Sequence, residues 1–78
     1  MQVLWSEDAE LFLLSVPPAD ADRIIDAMVL LAETGRGFVR RMLGSPELRL
    51  YIEGYVVTFE VDAGVAFVLR IRTSARTD

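Results

Sequence analysis

Four side chains in the second half of the sequence could together bind a nucleic acid. Arg49 and Tyr51 share one side of a predicted strand, and Arg70 and Arg72 share one side of another. Guanidinium groups bind phosphate through paired hydrogen bonds, and an aromatic ring on a sheet can stack on a base. This set predicts a surface that binds phosphodiesters, although the polar residues of any half-covered sheet also face water.

The same surface could catalyse phosphoryl chemistry without a metal ion. Arg49 and Arg70 are the candidates for stabilising charge on a phosphoryl group, because guanidinium groups already in place there lower the barrier. Glu47 lies two residues before Arg49 and is a candidate general base, whereas Tyr51 is a candidate for proton transfer or base stacking. Both also fit plainer roles, Glu47 as an exposed strand residue and Tyr51 as a side chain that packs on a neighbour.

Further arginines could bind additional phosphates of an RNA chain. The candidates are Arg40 and Arg41 before the predicted strands, Arg72 on the last strand and Arg76 in the final residues. Phosphate contacts position a nucleic acid without reading its sequence. A second interpretation of Arg40 and Arg41 is a loop pair that faces carboxylates of the second helix, such as Glu33, and contributes little stability.

The composition excludes several classes of active site. The 78 residues contain no cysteine and no histidine, which removes thiolate zinc sites and the triads that depend on imidazole. We therefore expect no metal ion and no other cofactor. The length allows one hydrophobic core, so residues 1–78 should form a single domain. The longest apolar run without glycine, Ala27 to Ala32, is too short for a membrane helix, so we expect a soluble cytoplasmic protein without a membrane partner.

The charge is distributed unevenly along the chain. The net charge is −4, but residues 1–34 carry seven acids against one arginine, whereas residues 35–78 carry seven arginines against five acids. One face can therefore be basic while the whole molecule is acidic, and the local field is what attracts a phosphate backbone. Ordinary scatter of charged residues would give the same counts.

Two helices are predicted in the first half. A short apolar strand over Gln2 to Trp5 ends at Ser6, which can cap a first helix, and that helix must end before Pro17. A second helix begins at Pro18, carries an apolar stripe, and ends at Gly35. The two helices are expected to form a hairpin that buries one face.

The period changes to two after Pro46, which indicates three strands over residues 47–53, 55–62 and 65–72. Residues 36–46 are interpreted as a connection. On the third strand, Phe67 is expected to face the core together with Val65, Leu69 and Ile71, because the side chains alternate. The predicted fold is α+β, with the order β-α-α-β-β-β, an antiparallel sheet and a helical hairpin packed on one face. The first strand is expected to join the sheet.

Two segments resemble the RelE/ParE superfamily of toxins from bacterial type II toxin–antitoxin pairs. The segment "PPADADRIIDAMVLLAETG" at 17–35 is similar to the second helix of that family, and "RLYIEGYVVTFEVD" at 49–62 resembles its strand-turn-strand signature. The resemblance covers nearly the whole chain. It implies a small cytoplasmic toxin that a cognate antitoxin neutralises, with a homodimer or a heterotetramer containing the antitoxin as the candidate assemblies.

The resemblance implies two different targets. Toxins of the RelE branch cleave messenger RNA in the ribosomal A site without a metal ion, by in-line attack of the 2′-hydroxyl, so the ribosome and the message would be partners. Toxins of the ParE branch inhibit DNA gyrase. A third alternative is a toxin fold that has lost catalysis and acts as a binding module, because fold and site chemistry are separable.

The family's basic residues match this sequence only in part. By resemblance, Arg49 corresponds to a basic residue on the strand after the loop, and Arg70 or Arg72 corresponds to the arginine of the last strand. Val56 stands where the family commonly has an arginine, and Glu47 stands where it has another basic residue. The tail "TSARTD" lacks the terminal tyrosine or histidine of many active members.

Overall fold

Two helices and five strands make up the computed structural model, which describes residues 1–74. The elements are β1 (Gln2–Trp5), α1 (Glu7–Ser15), α2 (Pro18–Thr34), β2 (Phe38–Arg41), β3 (Leu48–Ile52), β4 (Tyr55–Asp62) and β5 (Val65–Thr73). The strands form one sheet in the order β1-β5-β4-β3-β2. The β1–β5 pair is parallel and the other pairs are antiparallel. The predicted α+β fold with helices on one face is confirmed, but the sheet is mixed instead of antiparallel throughout, because β1 pairs in parallel with β5.

The helices begin and end where the sequence indicates. The Ser6 hydroxyl accepts a hydrogen bond of 3.0 Å from the Ala9 amide and donates one of 2.7 Å to the Leu69 carbonyl, so it caps α1 and ties it to β5. The helix α2 has proline in its first turn. It ends at Gly35, whose φ of 77° is left-handed and whose amide donates to the Leu31 carbonyl at 2.8 Å.

The segment interpreted as a connection contains a strand. Phe38–Arg41 pairs with β3 as an edge strand, with Phe38 opposite Tyr51 and Arg40 opposite Arg49. The sequence of this segment does not indicate a strand, because its two apolar residues are followed by two arginines and so do not alternate with polar ones. The exposed arginines suit an edge strand, since charged side chains discourage pairing with another chain.

The prediction of which β5 side chains face the core is wrong for the first half of the strand. Thr58 pairs with Arg70 but Phe59 pairs with Val68, so Leu69 is an extra residue in a β-bulge. Because of this extra residue, each side chain of β5 before the bulge faces the side opposite to the one expected. Val68 is therefore buried, and Phe67 is 39% exposed on the opposite face. Residues after the bulge keep the expected facing.

One face of the sheet carries the core. Buried side chains of both helices, including Ile24 and Met28, pack against Leu50, Val57 and Phe59 of the central strands. Within residues 1–74, no helix covers the other face of the sheet. Among the helices of the described residues, neither combines the length and the apolarity needed to cross a bilayer.

Candidate functional site

A row of basic side chains crosses the uncovered sheet face. The pairing register places Arg40 of β2 opposite Arg49 of β3, Arg49 opposite Thr58 of β4, and Thr58 opposite Arg70 of β5. Residues opposite one another on one face lie within side-chain reach. The register thus brings Arg40, Arg49 and Arg70 together, as the strand parity of Arg49 and Arg70 predicts. Thr58 is buried on this face.

A second row lies beside the first and supplies aromatic surface. It consists of Phe38, Tyr51, Val56 and Arg72 on four adjacent strands. The rings of Phe38 and Tyr51 are 5.9 Å apart between centroids with a 53° tilt. Phe38 is exposed, so the pair could offer a face on which a base stacks. The sequence does not indicate Phe38 as a site residue, because the strand that places it beside Tyr51 lacks an alternating pattern.

Arg49 lies between two depressions of the surface. One encloses about 340 Å³ and is shared with Tyr51, Val56 and Arg72. The other encloses about 440 Å³ and is shared with Tyr51 and Arg40. The Nε atom of Arg49 is buried and makes no hydrogen bond with any residue in the described part of the chain. A buried donor of this kind is costly to leave unpaired, and Arg49 lines both depressions, where a phosphate could bind.

Glu47 is held by an arginine of the same face. Its Oε1 accepts a hydrogen bond of 2.9 Å from Nη2 of Arg70, and the two side chains are only partly exposed. Arg70 lies on β5 and Glu47 precedes β3, so the arginine reaches across β4. The contact neutralises part of the positive charge in the row. It also occupies an oxygen that a general base would use to accept a proton.

The other predicted phosphate-binding arginines differ in position. Arg72 lies in the second row, and Arg41 borders the same depression as Arg40. Arg41 pairs with Leu48, a residue that packs against the core, so strand alternation separates it from the row. Neither Arg40 nor Arg41 makes an ion pair with Glu33 in the described residues. Arg76 lies outside the described residues.

An apolar groove lies on the helical side, where α2 ends over the sheet. It encloses about 320 Å³, and its lining includes Met28 and Leu31 of α2 and Val39, Leu48 and Phe59 of three strands. The groove is separate from the basic rows, since it lies on the core side of the sheet. It provides an apolar surface that a partner segment could cover.

Comparison with solved structures identifies the fold as that of RelE toxins, the toxin components of toxin–antitoxin pairs. The isolated RelE toxin of E. coli is similar with a TM-score of 0.75 and 17% identity, over 99% of this chain and 87% of that one. A RelB–RelE complex from Methanococcus jannaschii has a TM-score of 0.73 and 16% identity, over 90% of this chain and 88% of that one. A RelBE complex from Mycobacterium tuberculosis has a TM-score of 0.72 and 14% identity, over 94% of this chain and 96% of that one. No protein-family model and no curated protein sequence matches the chain.

Proposed function

We propose that this protein is the toxin of a type II toxin–antitoxin pair and that it acts in the cytoplasm as a ribosome-dependent messenger RNA endonuclease. The observation that carries the proposal is the register-matched row of Arg40, Arg49 and Arg70 on the uncovered face of a RelE-type sheet. Several guanidinium groups at one surface favour binding of a polyanion even when the net charge is negative.

The proposed reaction needs no group from outside the protein and RNA. The 2′-hydroxyl of a nucleotide attacks the adjacent phosphorus, the bond to the 5′-oxygen of the next nucleotide breaks, and a cyclic phosphate remains. Arg49 and Arg70 stabilise the added negative charge on the phosphoryl oxygens. Glu47 accepts the proton of the 2′-hydroxyl, and the leaving 5′-oxygen takes a proton from the Tyr51 hydroxyl.

Glu47 would take this role more readily after Arg70 exchanges its partner, because the ion pair holds one of its two carboxylate oxygens. Binding of a phosphate to Arg70 would release the Glu47 carboxylate, because one guanidinium edge cannot hold both groups in the same geometry. The exchange costs little, since a partly exposed ion pair contributes about 0–1 kcal/mol. Arg40, Arg41, Arg72 and Arg76 would bind flanking phosphates of the message.

A cognate antitoxin is the proposed protein partner. The solved relatives include complexes of RelE with RelB. In this chain, an antitoxin segment would cover the arginine rows and fill the apolar groove beside Met28 and Phe59. Binding to the folded state alone would also stabilise a small core by mass action.

A second candidate function is a toxin fold that binds its partners without cleaving RNA. Val56, at the position where the family commonly has an arginine, is buried in the second row and supplies no charge. The Glu47–Arg70 ion pair also favours this candidate, because it occupies both a proposed base and a proposed charge stabiliser.

Controlled expression of the chain in a bacterial host tests these functions. The nuclease proposal expects growth arrest and new message ends within ribosome-bound codons, mapped by primer extension. Arg49→Ala should abolish both, whereas Arg36→Ala, which changes an arginine in the loop before β2, should abolish neither. Arrest with DNA damage and intact messages would overturn the proposal in favour of gyrase inhibition, and normal growth would favour the non-catalytic candidate.

A further inference from the structure

The two helices form a second apolar groove on the opposite side of the molecule from the arginine rows. It encloses about 420 Å³ and is lined by Glu10, Leu13 and Leu14 of α1 and by Ala21 and Ile25 of α2. Ala21 and Ile25 are four residues apart and therefore lie on one face of α2. The groove thus runs between the helices and opens to solvent.

Large apolar side chains are exposed beside this groove. Leu14 is 82% exposed and Leu11, one turn earlier on α1, is 59% exposed. The helix does not need them for the core, because Phe12 and Leu13 pack against the core cluster. Adjacent exposed leucines beside an apolar groove are typical of a surface that binds another protein.

Exposed carboxylates lie on both helices near the groove. Glu10 lines the groove and Glu7 lies one turn before it on α1, whereas Asp22 and Asp26 follow the groove residues Ala21 and Ile25 on α2. None of the four makes an ion pair within residues 1–74. The single base of the two helices, Arg23, contacts two other carboxylates. The groove therefore has an apolar floor and a negative rim.

We propose that this groove binds a basic amphipathic segment of a partner protein. An apolar side chain of that segment would enter between Leu13, Leu14 and Ile25, and lysines or arginines on its flanks would reach the carboxylates. Helical partners commonly bind in this way, with an apolar face in a groove and complementary charges at its edge. The same rim repels nucleic acids and acidic segments, so this face and the arginine rows bind different classes of partner. The inference does not depend on RNA cleavage.

A synthetic helical peptide of leucine and lysine, carrying a fluorescent label, is the probe for the full chain. We expect the peptide to bind with an affinity that falls as salt rises, and a matched peptide with glutamate at every lysine position not to bind. Leu14→Ser should weaken binding about tenfold through loss of apolar contact. Leu43→Ser changes a leucine that is 98% exposed in the β2–β3 loop and should leave the affinity unchanged.

The electrostatic part of the proposal is tested separately. The double variant Asp22→Asn and Asp26→Asn should weaken binding of the lysine peptide and flatten its salt dependence, and its thermal midpoint reports whether it is folded. The proposal fails if the glutamate peptide binds equally well, or if neither Leu14→Ser nor the double variant changes the affinity. It also fails if the chain forms a dimer that Leu14→Ser dissociates, because the groove would then hold a second copy.

Discussion

The hydroxyl of Tyr55 donates a hydrogen bond of 2.5 Å to Oδ2 of Asp20, which joins the start of β4 to the first turn of α2. The ring of Phe12 contacts the same tyrosine edge-on, with 5.9 Å between centroids. The Arg23 guanidinium lies 6.0 Å from the centroid of the Tyr55 ring. These contacts fix the β3–β4 turn against the helices, and so fix which side chains of both strands face away from them.

Replacement of Tyr55 by phenylalanine should destabilise the fold while keeping the packing with Phe12. The variant loses a partly buried hydrogen bond to a carboxylate, for which about 1–3 kcal/mol is expected. Urea unfolding followed by Trp5 fluorescence measures the change. Tyr51→Phe is the matched control, because the Tyr51 hydroxyl makes no hydrogen bond within the described residues, and an equal loss in both variants would contradict the assigned role.

Stability should fall at alkaline pH because of the same tyrosine. The pKa of Tyr55 is raised above its ordinary value of 10.0, first by its hydrogen bond to Asp20, then by burial and by the Asp20 charge, while Arg23 opposes the shift. The folded state therefore holds the proton more tightly than the unfolded state. Its contribution is complete below pH 10 and is lost as the pH rises through the folded pKa. The pH profile of Tyr55→Phe should lack this loss, and an unchanged profile would contradict it.

The two phenylalanines of the β4–β5 pair should respond differently to truncation. Phe59 is 3% exposed whereas Phe67, turned outward by the bulge, is 39% exposed. Phe59→Ala should cost about 3–5 kcal/mol by leaving a cavity, and Phe67→Ala much less. Chemical denaturation of the two variants provides the measurement. Equal large losses would mean that β5 alternates without a bulge.

Replacement of Glu47 by glutamine should strengthen binding of single-stranded RNA. The variant releases Arg70 and removes one negative charge from the face, so a gain of up to about fivefold is expected from the size of exposed ion pairs. Glu53→Gln is the charge-matched control, since Glu53 contacts Arg23 instead. Filter binding or anisotropy measures affinity, and a lower cleavage rate together with tighter binding would identify Glu47 as the base. Weaker binding by Glu47→Gln would contradict the competition between carboxylate and phosphate.

Replacement of Arg49 by alanine should weaken RNA binding uniformly across sequences. If Arg49 contacts one phosphate, the slope of log affinity against log salt should fall by about 0.7, the value for one contact on a single strand. Arg49→Lys should retain the slope but lose the paired hydrogen bonds of the guanidinium. Titrations at several salt concentrations with Arg36→Ala as the control decide this, and an unchanged slope in Arg49→Ala would remove Arg49 from the interface.

Local patterns in the sequence were sufficient to predict the two helices and most strands of the sheet. Ser6, Pro18 and Gly35 mark helix boundaries through capping and backbone preferences, which depend on neighbours within a few residues. The strict alternation along β3 and β4 likewise predicts that Arg49 and Tyr51 share a face. These predictions succeed because the determining interactions lie within one or two turns of the chain.

Contacts between distant segments decided the rest. The carbonyl of Leu69, the extra residue of the bulge, accepts a hydrogen bond from the hydroxyl of Ser6, 63 residues away. The bulge also turns Phe67 out of the core. The strand Phe38–Arg41 exists because β3 offers it a partner, and the contact between Glu47 and Arg70 spans an intervening strand. The sequence by itself determined the two helices, four of the five strands and the shared face of Arg49 and Arg70, whereas the tertiary structure alone set the strand β2, the register, the bulge and the ion pairing. Those features are set by hydrogen bonds and packing between strands far apart in sequence, and the local spacing of residues does not encode them.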